Sequence, residues 1–283
     1  MELTESLSIF AKPATYQRTP KLPFPHLIRA SSIIRGDQIA EYLGCKLNPI
    51  EGYENDTLIY VKPPRIGDIK AGSWIDVMDS PHILQAVIDR PYLNLILFSL
   101  KTLGDIQFKN IKNNMVVIPQ HHCNFDRIQR VGRTIENVGF IGGEIGFTLP
   151  VDEITKRLAE YGLKFLYLTR YKTREDVIDF YKKIDVQITW TRPEYQYQSK
   201  CPLKLTNSAS FNIPTVAYPQ DCYEEADGHY IKAYTIDKLV EEVVKLKDEA
   251  YYQKATEGLV AWSERYHISR IAELYKQLCK TQP

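Results

Sequence analysis

Apolar positions along the chain follow two alternating periods. Short β-prone runs at residues 57–62, 74–78, 94–99 and 115–119 are separated by stretches of helical spacing. In residues 31–44, Ile33, Ile34, Ile39, Ala40 and Leu43 fall on one helical face, and Gly44 supplies the stop. The second half repeats the alternation more plainly. A strand is expected over 137–143, an amphipathic helix over 150–162 (Val151, Ile154, Leu158, Tyr161), a strand over 164–169, a helix over 174–183 and a strand over 185–190. A helix opened by Pro202 and a buried strand at 215–219 follow, and residues 237–247 and 268–278 read as covering helices. Strand–helix–strand order of this kind builds parallel α/β layers. Residues 1–30, broken by Pro13, Pro20, Pro23 and Pro25, read as an extended arm or, more simply, an ordered coil packed on the domain surface.

Composition narrows the class. At 283 residues, with 44% hydrophobic and 25% charged residues, the chain has room for two ordinary domains with their own cores. A formal net charge of +1 argues against nucleic-acid binding by bulk electrostatics and leaves open a local patch, such as the basic stretch 101–133. Five scattered cysteines, an odd number with neither zinc spacing nor a C-x-x-C pair, read as free thiols of a reducing cytosol. The longest apolar run, residues 92–100, is too short to span a bilayer. The expectation is a cytoplasmic protein without a transmembrane segment.

Three places concentrate chemistry. The strand at 115–119 runs into Q-H-H-C-N-F-D-R, which delivers His121, His122 and Asn124 to a sheet's carboxyl edge, where open α/β folds bind ligands. The run N-V-G-F-I-G-G at 137–143 is a buried strand ending in a glycine turn, whose N–H groups can approach a diphosphate. The third is residues 199–225, a cationic polar loop, a helix begun at Pro202, a break at Asn212 and Pro214, and a short strand. The free positive end of that helix, with Lys204 beside it, suits an anion. Arg170, Arg192 and Lys200 lie at or near strand ends on the same side.

Tyr181 and Asp185 form a Y-x-x-x-D pair on the helix before a strand, and Pro202, Lys204 and Pro214 follow in order. In this pattern the chain from about residue 138 onward resembles the nucleotide-sugar half of GT-B glycosyltransferases. It departs from the retaining members, with Ser199 and Asn207 where an E-x7-E pair would stand and Asn212 in place of a glycine. The resemblance implies an α/β, GT-B-like fold of two Rossmann-like lobes facing across a cleft, the first lobe small. Residues 1–115 would form the acceptor side, 116–262 the donor domain, and 263–283 a helix crossing back. It implies Gly142, Gly143, Glu144, Arg170, Arg192, Lys200, Lys204, Leu205, Asn207 and Ser208 as donor-binding residues. The co-substrate would be a nucleotide-diphosphate sugar, with no metal required and no other cofactor.

For an inverting transfer a base is needed near the acceptor hydroxyl, and Asp79, His82 and His121 are the candidates by placement, with His122 and Asn124 lining the acceptor cleft. Stereochemistry stays open, as does the acceptor, whether glycan, small molecule or nucleic acid. Two other functions fit the same architecture: a non-catalytic module that binds a nucleotide or sugar, and a nucleotide-sugar epimerase.

Overall fold

A computed structural model describes residues 6–17, 26–28, 30–104, 110–130, 134–143, 148–190 and 201–281. The first lobe opens with β1 (Leu7–Ala11), a strand in a stretch whose prolines suggested an arm. The short run Leu-Ser-Ile-Phe-Ala is buried on both faces, and its one polar member, Ser8, donates to Asp56 at 2.5 Å. A hairpin of β2 (Thr15–Gln17) and β3 (His26–Ile28) follows. Next come α1 (Ala30–Ser32), a π-helical segment (Ile33–Asp37) and α2 (Gln38–Leu43), capped by Gly44 in the left-handed conformation at φ 65°. The wide turn lets Gly36 lie against β1. A Cβ there would stand 2.6 Å from that of Ala11.

The lobe continues through β4 (Lys46–Leu47), β5 (Thr57–Val61), β6 (Trp74–Asp76), α3 (Pro81–Ile88), β7 (Asn94–Leu97) and β8 (Met115–Val117). These strands form one parallel sheet in the order β4-β1-β5-β6-β7-β8. The first lobe is short in chain yet six strands wide, because its connections are brief.

The second lobe comprises β9 (Asn137–Ile141), α4 (Val151–Ala159), β10 (Lys164–Leu168), α5 (Arg174–Tyr181), β11 (Val186–Thr189), α6 (Leu203–Ser210), β12 (Thr215–Ala217) and β13 (Ile231–Lys232). Its sheet is parallel, ordered β10-β9-β11-β12-β13. Central strands such as β11 are buried along their length because helices cover both faces, and its polar members Gln187 and Thr189 are buried with it. In each sheet the first strand of the lobe lies between the second and third. The topological switch points are therefore β1/β5 and β9/β11, the crevices where doubly wound sheets take ligands.

Four helices close the chain: α7 (Ile236–Lys245), α8 (Glu249–Thr256), α9 (Leu259–Ser263) and α10 (Ile268–Gln277). Ile268, Ile271 and Tyr275 of α10 pack into the first-lobe core with Leu7, Ile9 and Ile39. At the bottom of that core Arg35, fully buried, donates from Nε to Asp76 at 2.7 Å and from Nη1 to the carbonyls of Ile118 and Pro119. The Tyr275 hydroxyl donates to the same Asp76 oxygen at 3.1 Å. This network ties the π segment, β6, the interlobe chain and α10 at one point. No described helix is long and apolar enough to cross a membrane.

Candidate active site between the two sheets

The carboxyl edge of the second sheet holds the most developed cluster. β9 ends at Ile141 and passes into Gly142, whose N–H donates to Leu168 O at 3.1 Å. A Cβ on Gly142 would meet Cε of Lys204 at 3.0 Å and its Nζ at 3.1 Å. Sequence positions 62 apart therefore converge on one spot at the β9/β11 switch point. The Lys204 ammonium sits 4.5 Å from the Phe140 ring centroid and 3.5 Å from Thr189 Oγ1, and the lysine is half-buried. Gly143 is exposed and has open space where a Cβ would be.

The position of Lys204 is set from below. Pro202 is the N-cap of α6 and offers no side-chain cap, while its carbonyl accepts from Leu205 and Thr206. The N–H groups of Leu203 and Lys204, ahead of those bonds, lie at the end of the helix where its dipole is positive. Gln187 of β11 donates to Lys204 O at 2.9 Å and accepts from the Tyr181 hydroxyl at 2.8 Å. Tyr181 stacks on Phe211 at 4.9 Å. Asp185 accepts from Glu136 N and Asn137 N, both at 2.8 Å, and pairs with Arg130 at 2.9 Å. The Y-x-x-x-D pair is thus a brace for β9 and α6.

Leu205 is buried in the lobe core, and Ser208 shares a 2.6 Å hydrogen bond with Thr215. Asn207 Oδ1 accepts from Cys123 N at 2.8 Å, holding the interlobe chain. Arg170 is exposed just past the end of β10. Glu144, Arg192 and Lys200 lie outside the described residues.

The interlobe histidines are buried. His121 Nε2 faces Ile34 O at 2.7 Å and Nδ1 faces His122 O at 3.1 Å. Burial pushes its pKa down to about 4 and that of His122 down to about 3. His122 packs edge-on to His267 at 5.5 Å, and its Nδ1 accepts from Asn124 N. Asn124, fully buried, donates to Ile128 O at 2.7 Å and Ser210 O at 2.8 Å. Both nitrogens of His121 face carbonyls, so this geometry makes the ring a strut between π segment and interlobe chain.

On the first sheet's edge, Lys62 and Met78 follow β5 and β6 with φ of 45° and 49°. Such φ values cost side-chain-bearing residues free energy and gather at functional sites. Lys62 Nζ lies 2.8 Å from Asp79 Oδ1, and both side chains are about one quarter exposed. His82 is exposed in the first turn of α3. Across the mouth of the cleft, Lys101 donates to Asp221 O at 3.2 Å and pairs with Glu224. Lys62 did not stand out in the sequence, and Lys101 did so only as the start of the basic stretch 101–133. A lysine between a strand and Pro-Pro was the one available signal for Lys62. Among the described residues no group of three or more ligating side chains could hold a metal ion.

No family model matches the sequence, and no curated protein matches it. Solved structures do. AviGT4, a glycosyltransferase involved in avilamycin A biosynthesis, superposes with a TM-score of 0.57 at 10% identity, over 97% of each chain. The pneumococcal O-GlcNAc transferase GtfA, solved with UDP and GlcNAc, gives 0.45 at 11% identity over 81% of this chain, which spans about half (53%) of that one. MnaA of S. aureus, solved with UDP, gives 0.44 at 13% identity over 95% of this chain and 83% of that one. The likeness to AviGT4 is one of fold, a GT-B-like pair of α/β lobes.

Proposed function

We propose that the chain is a glycosyltransferase that moves a sugar from a nucleotide-diphosphate donor to an acceptor hydroxyl, the second lobe holding the donor. The observation that carries this reading is the convergence of the Lys204 ammonium, the Gly142 turn and the open end of α6 at the β9/β11 switch point. A diphosphate there meets a fixed cation and helix N–H groups without reorganising either. AviGT4, which shares the fold, is itself a glycosyltransferase. Fold alone does not give function, so the reading rests on the site.

In the transfer, the acceptor oxygen bonds to the anomeric carbon while the bond from that carbon to the diphosphate oxygen breaks. The electron pair leaves with the diphosphate, and the added charge is met by Lys204 and the α6 N–H groups. The hydroxyl proton passes to Asp79, whose carboxylate Lys62 holds in place at 2.8 Å. His82 flanks that site in the first turn of α3. No metal takes part. The test is a panel of nucleotide-diphosphate sugars with release of nucleoside diphosphate as the readout. Release from at least one donor, unaffected by chelator, is expected. Binding without release would reduce the protein to a binding module, and sugar interconversion without an acceptor would make it an epimerase.

A further inference from the structure

The first lobe has a switch point of its own, between β1 and β5, and a pocket of about 400 Å³ opens there. Its walls are the ends of those two strands and the turns that follow: Phe10, Lys12, Pro13, Tyr60, Pro63 and Pro64. Phe10 and Tyr60 are register neighbours on the sheet face away from α10, and their rings stack at 4.8 Å with planes 13° apart. Tyr53 closes the far side of Phe10 edge-on at 5.2 Å. The lower end is built by Asn48, whose amide donates to Ala11 O and accepts from Ala11 N, both at 2.9 Å, in place of a strand neighbour.

We propose that this pocket binds a pyranose ring of a saccharide acceptor. The inference rests on the glycosyl-transfer reading above and names the acceptor class for it. A pocket of this size suits one sugar ring, and its place at a switch point is where an open parallel sheet takes a ligand. The lining offers apolar surface for the C–H face of a pyranose, from Pro13, Pro64 and the edges of the stacked Phe10 and Tyr60 rings, with a polar rim for its hydroxyls. Lys12 is exposed on that rim, and no carboxylate is among the lining residues. Between the lining residues Val61 and Pro63 stands Lys62, in its left-handed conformation, holding Asp79. The Pro63 side of the pocket is thus one residue along the chain from the lysine that holds Asp79.

The test uses the whole chain with the methyl pyranosides of glucose, galactose, mannose and N-acetylglucosamine, and p-nitrophenyl glucoside, read by saturation-transfer NMR without a donor. Transfer to the ring protons of at least one methyl pyranoside is expected, undiminished by excess UDP. Pro64→Trp, an exposed change that fills the pocket, should abolish it with the melting temperature unchanged. Tyr60→Ala should weaken it roughly 2- to 10-fold while Tyr60→Phe retains it. Three results would overturn the proposal: no transfer to any ring, transfer that survives Pro64→Trp, or saturation of the p-nitrophenyl ring alone. Full displacement by UDP would overturn it too, by placing the sugar in the second lobe. Nucleoside diphosphate release from the donor panel is scored separately, so failure of the transfer reading is told apart from failure of this pocket.

Discussion

Replacing Lys204 by alanine separates a phosphate contact from a structural one. In the free protein the side chain gives up its position over Phe140, worth about 0.5–1 kcal/mol at a partly exposed site. The 3.5 Å approach to Thr189 is too long to add much. Against this, a cation in the first turn of α6 opposes the helix dipole by about 0.3–1 kcal/mol, and its removal relieves that cost. These two contributions oppose each other and are of similar size. Binding should respond differently. A charged hydrogen bond to a diphosphate is worth about 1.5–3 kcal/mol, so the dissociation constant should rise about 12- to 150-fold. Calorimetric titration with a nucleoside diphosphate and with the matching nucleoside checks this, and only the diphosphate should weaken. Gly142→Ala pushes a methyl to about 3 Å from the lysine tip, so in that background Lys204→Ala should cost less. Equal losses for diphosphate and nucleoside, or strict additivity with Gly142→Ala, would refute the shared cradle.

Four further outcomes are expected. Asp79→Asn should lower turnover about 10²- to 10⁴-fold with donor affinity unchanged, measured by product formation beside donor titration. Gly139→Ala places a Cβ 2.4 Å from Ile184 Cγ2 and should destabilise by about 1–3 kcal/mol in urea, with partial recovery when Ile184→Ala is added. Asp76→Asn strips the fully buried Arg35 of its counter-charge and should cost about 3–5 kcal/mol by the same measurement. His121 and His122 are held neutral by burial, at about 4 and about 3, while unfolded histidine titrates near 6.5. The unfolded chain therefore gains protons first as pH falls. Stability is complete above about pH 6.5 and declines through pH 4 toward 3, on the order of 3 kcal/mol from His121 alone, as denaturation midpoints across that range would register.

The second lobe was legible because its elements are locally consistent. The run Asn-Val-Gly-Phe-Ile carries its own β character, and the pattern around Ile154 and Leu158 its own helical face. β1 was hidden by the prolines that follow it, although Leu7, Ile9 and Ala11 alternate toward the core. The π segment left no trace in periodicity, since Ile33, Ile34 and Ile39 fit an ordinary helix, and only the fit of Gly36 against Ala11 reveals it. For the site, residue type and position along an element could be read, but not the partner. Asn207 sits in the segment that resembles a donor motif, yet its carbonyl is occupied by Cys123, 84 positions away. The histidine pair fits a ligand role and interdomain hydrogen bonding equally in sequence, and the carbonyls of Ile34 and His122 at the nitrogens of His121 could not be read there. The signal at Lys204 is local, a cation where a helix dipole disfavours one, and so its place at the start of α6 could be read.

What sets the cleft is decided by burial. The 3-10 segment Asp221–Ala226 touches three regions at once: Tyr223 hydrogen-bonds Thr189 behind Lys204, Glu224 takes Lys101 from the first lobe, and Glu225 accepts from Tyr266 beside the hinge at 3.0 Å. The Lys101–Glu224 pair is exposed on both sides, and such pairs are worth about 0–1 kcal/mol. It is too weak to fix the lobes. Asn124 and Asn207 hold the interlobe chain to α6 with buried hydrogen bonds, and α10 buries Ile268, Ile271 and Tyr275 in the opposite lobe. At about 1.5–3 kcal/mol for each fully buried side chain, that contact outweighs the exposed pair several-fold. The lobes are thus joined firmly at the hinge and lightly at the mouth. The α6 scaffold beneath Lys204 is anchored on the firm side, through Asn207 to Cys123 and Asn124 to Ser210.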